Sequence, residues 1–162
     1  MAGKILIVDD FRTNLAHLSH LLNHQGYEVK SVVQVDDALE LINNVAFDLF
    51  LLDVEMPVSN GFELCRSIRR SVINADTPVI FITSRDDQQS ILSGFDAGGQ
   101  DYITRPFSDR ELLARVNTHL DLKLQRESLI KLTRELENLV SIRTRELRKL
   151  LVKLKTSNQQ LS

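Results

Sequence analysis

Apolar residues come along this chain in two rhythms. Short runs, KILIV at 4–8, YEVKSVV at 27–33, FDLFLLD at 47–53, PVIFIT at 78–83 and DYIT at 101–104, alternate with longer stretches where apolar residues recur every three or four positions. Runs that are apolar on both faces suit the strands of a sheet covered on both sides. The longer stretches carry the helical period; in the first of them Phe11, Leu15, Leu18 and Leu22 share one face. Five such strand-then-helix units in about 120 residues predict an α/β fold, a doubly wound parallel sheet of five strands. In such sheets functional groups gather beyond the carboxyl ends of the strands.

The last predicted helix opens with Ser108 followed three residues later by Glu111, a capping box, and no Gly or Pro interrupts it from Phe107 to Ser162. Its apolar residues then fall at alternating spacings of three and four: Leu122, Leu129, Leu132, Leu136, Val140, Leu147, Leu150, Leu154 and Leu161, with Gln125, Arg143 and Ser157 in the polar slots of the same series. That is heptad spacing, the mark of a coiled coil, broken once where two fours meet between Leu132 and Val140. A helix over 109–158 would span roughly 75 Å, too long to fold back into a compact core. Standing alone it would be marginal, so a second chain is the expected stabiliser. The expected division is a domain at 1–120 and a dimerising coiled-coil stalk at 121–162.

Composition narrows the function. With 162 residues, 43% of them apolar, the chain can bury one substantial core. No segment reaches the ~20 apolar residues of a membrane span, and the apolar start of the chain is cut at once by Asp9 and Asp10, so neither a leader nor a membrane anchor is expected. The single cysteine, Cys65, fits a reducing cytoplasm; it shares a helical face with Leu64, Ile68 and Val72 and reads as core rather than catalytic thiol. Residues 1–120 hold ten Lys and Arg against seventeen Asp and Glu, and residues 121–162 hold ten against five. An acidic body argues against nucleic acid as a direct ligand, and the cations of the tail are spread along the heptads rather than packed into a basic block. His17, His20 and His24 lie on one helical face opposite the apolar one, and read as solvated surface rather than a metal stripe.

The chemistry lies at the strand ends. The first predicted strand contributes Asp9 and Asp10, the third Asp53, the fourth Thr83 and Ser84, and the fifth Thr104 and Arg105. Singly, the acids read as caps for the helices that follow. That reading does not explain Asp53 at the end of a fully apolar run, where an unneutralised carboxylate is costly. Two charges 4 Å apart repel by about 4 kcal/mol at an effective dielectric near 20, so three carboxylates in one cleft need positive charge beside them. A hard divalent ion such as Mg2+ is one source and Arg105 another. A carboxylate beside a metal, a hydroxyl and a fixed cation is arranged to accept a phosphoryl group.

Together the motifs IVDDF, LLDVEMPVSNGFEL with Asp53, Met56, Pro57 and Gly61, PVIFITS with Thr83, and DYITRPF resemble the receiver domain of bacterial two-component response regulators, from residue 3 to about 120. The resemblance implies a flavodoxin-like sheet of strand order 2-1-3-4-5. It implies that Asp53 takes a phosphoryl group from a histidine kinase or phosphotransfer protein. Asp10, Asp53 and the backbone carbonyl of Glu55 would hold Mg2+, with Asp9 binding through water. Thr83 would donate its hydroxyl to the phosphoryl oxygens, and Tyr102 would swing inward as Thr83 moves. The peptide bond from Arg105 to Pro106 is usually cis in the family. Glu55 and Arg85 would sit on the rim, where an ion pair between them is expected. No catalysis is implied beyond self-phosphorylation and slow autodephosphorylation.

The family has lysine where this chain has Arg105. A guanidinium is a planar fork rather than a compact point charge, so the exchange is not conservative. Either the receiver still phosphorylates but switches differently, or it is a phosphorylation-independent dimer scaffold. The first is preferred because every other active-site match is present and Arg105 remains a permanent cation. An aspartyl-phosphate phosphatase is the third reading, and the VEMP that follows Asp53 argues against it. The RTRELRKLL segment resembles the signalling helices that join a receiver to an output domain; none follows KTSNQQLS, so the expectation is a longer parent protein or a coil that is itself the output.

Overall fold

A computed structural model describes residues 3–56, 60–84 and 86–161, in two compact units divided between Lys123 and Leu124. The five apolar runs become five parallel strands: β1 Lys4–Val8, β2 Glu28–Val32, β3 Leu49–Asp53, β4 Val79–Thr83 and β5 Asp101–Thr104. Between and after them run α1 Arg12–His24, α2 Val35–Asn44, α3 Gly61–Arg70, α4 Gln88–Asp96 and α5 Asp109–Leu161. The strand order is β2-β1-β3-β4-β5, the flavodoxin-like doubly wound sheet expected from the sequence.

Strand alternation sorts the core into two layers. Leu6, Val8, Phe50, Leu52, Val79 and Phe81 meet Ala38 and Ile42 of α2 and Leu64, Cys65 and Ile68 of α3. On the other face Ile5, Ile7, Leu49, Leu51, Ile80, Ile82 and Ile103 meet Leu15, Leu18 and Leu22 of α1 and Leu112, Val116 and Leu120 of α5. α4 approaches closely through Gly94, where a Cβ would lie 3.1 Å from the Phe81 ring. β2 and β5 are the edge strands, and β2 alternates between exposed and half-buried positions, unlike β3 and β4, which are buried at every position.

Two expectations about helix faces need correction. Phe11 precedes α1 as its N-cap and is 60% exposed, because the chain is still extended there while it leaves Asp9. Val72 lies beyond the end of α3 and is fully exposed, since the helix stops at Arg70 and Ser71 turns the chain. Cys65 is buried among Leu64 and Ile68, as expected, and burial pushes its thiol up to about 11. The histidine face of α1 is exposed; His17 contacts Asp109 at 2.9 Å, and His20 and His24 stack on each other.

α5 runs without a break for 53 residues. Ser108 Oγ accepts from the amide of Glu111, as the capping box predicts, while the Glu111 carboxylate lies 3.5 Å from Arg115 Nε. Polar contacts fasten its first turns within the larger unit: Asp109 to His17, Arg115 and His119 to Asp101, Asn117 to Tyr27 and Lys123 to Asp48. In the smaller unit every described residue is exposed, the heptad leucines among them. Among the described residues no helix is long and apolar enough to cross a membrane.

Candidate functional site

The site is built at the carboxyl edge of the sheet, where three central strands end side by side. Val8 pairs with Leu52 and Asp53 with Ile82, so the residues that follow β1 and end β3 and β4 reach the same edge. Asp9 and Asp53 are 1% and 3% exposed. One carboxylate oxygen from each of Asp9, Asp10 and Asp53 lies within 4.8 Å of the other two. One of the Asp10 oxygens, Oδ1, is buried with no hydrogen-bond partner. A buried, unsatisfied carboxylate oxygen facing two other acids is what a hard cation with oxygen ligands would satisfy, so these residues fit Mg2+.

Asp9 does not cap α1, whose N-cap Phe11 has no side-chain cap hydrogen bond; it turns the chain just before the helix. Its Oδ1 accepts from the Phe11 amide at 2.9 Å and its Oδ2 from Asn14 Nδ2 at 3.3 Å. Asp53 Oδ1 accepts from the Glu55 amide at 3.1 Å, which turns the chain away from β3. At the start of α3 the backbone comes so close that a Cβ on Gly61 would strike the carbonyl oxygen of Asp53. Glycine is therefore required beside Asp53, and Asn60 caps the helix by accepting from the Glu63 amide.

Arg105 supplies the cation. Its amide donates to the Thr83 carbonyl at 2.7 Å, which holds it against the end of β4, and the peptide bond to Pro106 is cis. Its Nη2 lies 2.6 Å from Asp9 Oδ2, and its Nη1 3.7 Å from Asp53 Oδ1. Even so, Asp53 is far from an ordinary carboxylate. Burial, above all, and then the charge of Asp9 push it up to about 7. The Glu55 amide and Arg105 pull it down without restoring it, and the hydrogen bond with Asp10 adds to the rise.

Thr83 is fully buried, and its hydroxyl donates to Glu55 Oε1 at 3.5 Å. Ser84 donates to both Glu55 oxygens at 3.0 Å. Tyr102 is half-buried against the Phe81 layer and hydrogen-bonded to the Thr83 side chain; desolvation first, and then the nearby acids, raise its hydroxyl pKa. The side chain of Thr83 thus stands between Glu55 and Tyr102. Arg85, and with it the expected Glu55 to Arg85 pair, lies outside the described residues, as does Pro57.

Sequence reasoning brought Asp9, Asp10, Asp53, Thr83, Ser84, Thr104 and Arg105 to one edge, where they stand, while Tyr102 lies within β5, opposite Phe81. It missed Ser84 as the partner of Glu55, for which adjacency to Thr83 was the available signal. It also missed Asp101, which accepts from Arg115 at 2.8 Å and the Tyr102 amide at 2.7 Å and contacts His119 at 2.9 Å. Desolvation works upward on Asp101, but these partners outweigh it and hold its carboxyl below the usual range.

Comparison with known proteins agrees with this geometry. A profile of the response regulator receiver domain matches residues 5–117. The chain is 38% identical over 120 residues to the nisin biosynthesis regulatory protein NisR of Lactococcus lactis, covering 74% of this chain and 51% of that protein. It is 42% identical over 118 residues to the transcriptional regulatory protein SpaR of Bacillus subtilis, covering 73% and 52%. The chain therefore spans about half the length of these curated relatives. Among solved structures it is similar to a CheY-like receiver domain protein from Methanospirillum hungatei, with a TM-score of 0.73 and 28% identity over 78% of this chain and 99% of that one. The BeF3-activated DrrB receiver domain matches with a TM-score of 0.68 and 39% identity over 75% and 99%. A shared profile over most of the chain, the parallel sheet of order 2-1-3-4-5 and the acids at its carboxyl edge lead to one conclusion: this chain belongs to the response regulator receiver domain family.

Proposed function

We propose that this receiver accepts a phosphoryl group on Asp53 from a phosphohistidine of a histidine kinase or phosphotransfer protein. The observation that carries the reading is the convergence, at one sheet edge, of the buried Asp53 carboxylate with Asp9, Asp10 and Arg105. Asp10, Asp53 and the Glu55 backbone carbonyl would hold Mg2+, with Asp9 bound through water; the ion supplies positive charge to the transferring phosphoryl oxygens. An Asp53 oxygen attacks phosphorus, the bond to the histidine nitrogen breaks, and the negative charge stays beside Arg105. Thr83 turns its hydroxyl from Glu55 to the new phosphoryl oxygens, and its hydrogen bond with Tyr102 carries that movement to β5. No turnover is assigned beyond self-phosphorylation and slow autodephosphorylation.

The exposed heptad leucines of α5 support a second part of the reading, a homodimer through residues 121–162 that passes the switch onward. The relatives are about twice as long as the matched segment and include a transcriptional regulator, which supports a C-terminal output domain in the parent protein. The buried, unpaired Cys65 accords with a cytoplasmic place of action.

A phosphorylation-independent scaffold is the competing reading, favoured by Arg105 already neutralising Asp9. Incubation with Mg2+ and a small phosphodonor separates the two. The expected result is one acid-stable, base-labile phosphoryl adduct by mass spectrometry that is lost in Asp53→Asn. Absence of any adduct with both donor and kinase favours the scaffold.

A further inference from the structure

The heptad seam of α5 carries charge at one point. From Leu122 to Leu161 three positions of the series are polar, Gln125, Arg143 and Ser157, and of these only Arg143 is a cation. Its Nη1 lies 3.2 Å from Glu146 Oε2 about one turn on, so the charge is answered within its own helix. Both side chains are mostly exposed, like the leucines around them. The three polar positions are unevenly spaced, eighteen residues from Gln125 to Arg143 and fourteen from Arg143 to Ser157. In a coiled-coil core a polar residue is tolerated opposite its like and costs stability opposite leucine. A second copy lying parallel and in register sets each of the three opposite itself. Reversed about Arg143, the copy would set Gln125 against Leu161 and Ser157 against Leu129. Reversed so that Gln125 meets Ser157, it would set Arg143 against Leu139; slid by one heptad, against Leu150. Only the parallel, in-register copy matches all three.

We propose that Arg143 and Glu146 form the register-setting layer of a parallel stalk dimer, aligning two copies of the chain in phase while loosening their association. This rests on the reading that residues 121–162 pair with a second copy. In phase, two Arg143 to Glu146 pairs meet at one level, where the charges balance and each guanidinium keeps its acceptor. Out of phase, each guanidinium enters a layer of leucine, and desolvating a charge against apolar side chains is costly. Replacing a buried ion pair by well-packed apolar residues often strengthens association, so the layer serves alignment rather than affinity.

The test uses the full chain with a nitroxide on Lys131→Cys, a position off the heptad series; the buried Cys65, with its raised thiol pKa, stays unlabelled. Pulsed electron paramagnetic resonance reads the distance between the two labels of a dimer, and sedimentation reads its affinity. In the parallel, in-register dimer the labels stand level and give one short distance. Reversal about Arg143 would separate them by about 36 Å along the axis. Arg143→Leu should tighten the dimer about tenfold and add a second, longer distance, because alignment is lost as affinity rises. Glu146→Gln should weaken the dimer about fivefold, since each Arg143 then enters the seam without its acid. A long distance in the Lys131→Cys protein, or an Arg143→Leu dimer with unchanged affinity and a single short distance, overturns the register role while leaving the dimer intact. If the unaltered chain is a monomer at every concentration, the dimer reading itself fails, and this inference with it.

Discussion

In the proposed reaction Asp53 is a nucleophile held back by its surroundings. With a pKa pushed up to about 7, mainly by burial and the charge of Asp9, a large part of it is protonated at neutral pH in the metal-free site. Only the carboxylate attacks phosphorus, so adduct formation at low Mg2+ should rise as pH increases through about 7 and level off above it. Stopped-flow or mass-resolved adduct rates from pH 5.5 to 8.5 would check this. The same shift bears on stability. A group whose folded pKa is raised stabilises the fold fully below its unfolded pKa, near 3.8, and that contribution is lost as pH rises through about 7. Asp53→Asn, which cannot ionise, should therefore gain stability relative to the original chain as pH increases, reaching a few kcal/mol above pH 7 on the order-of-magnitude linkage scale. Urea unfolding in EDTA at pH 5 and pH 8 gives the comparison; a constant difference between the two would contradict the assigned shift.

At the scale of elements, the junction between β5 and α5 is the part of the fold that links site and helix. Asp101 sits next to Tyr102 and binds Arg115 and His119 one turn apart on α5. Asp101→Ala should lower unfolding stability by roughly 1 kcal/mol, since it leaves the half-exposed Arg115 and the largely buried His119 ring without their acceptor. Its pKa is lowered, so the contribution is present above the unfolded value of about 3.8 and is lost as pH falls below it. The variant's deficit should therefore shrink in acid, which urea midpoints at pH 7 and pH 3 would reveal. A second contrast lies along α5 itself. Leu112 is fully buried against the sheet, and Leu112→Ala should cost about 2–5 kcal/mol in cavity and lost burial. Leu132 is 61% exposed, and the same truncation there should leave the unfolding of the larger unit unchanged.

For the whole molecule, the proposal of a dimer is a statement about the exposed apolar stripe. Leu129, Leu132, Leu136, Val140, Leu147, Leu150 and Leu154 are all more than half exposed, and a lone helix does not leave such a surface in water without cost. Sedimentation should show a concentration-dependent dimer. The double variant Leu132→Asp with Leu147→Asp should weaken it by roughly a hundredfold or more. It should leave phosphoryl adduct formation at Asp53 unchanged, because the acceptor site lies within the larger unit. A monomer at all concentrations for the original chain would remove the stalk from the functional reading and leave the receiver standing.

The three central strands were legible because burial on both faces of a parallel sheet demands unbroken apolar runs, and ILIV, LFLL and VIFI supply them. The site was legible for a related reason: strands of a parallel sheet end together, so Asp9, Asp53, Thr83 and Arg105 could be assigned to one edge before any distance was known. Capping at Ser108 and the length of α5 were also local and therefore readable. Phe11 and Val72 were assigned to helix faces because periodicity continues past the residues where the backbone leaves the helix, and only the chain path decides where that occurs. Tertiary structure alone decided which oxygens meet which donors. That Arg105 forks between Asp9 and Asp53, that Glu55 takes the hydroxyls of Thr83 and Ser84, and that Asp101 clasps Arg115 and His119 depend on side chains from elements far apart in sequence. Hydrophobic pattern is a property of neighbouring residues and survives in one dimension; charge pairing is a property of distance, and exists only once the fold has set it.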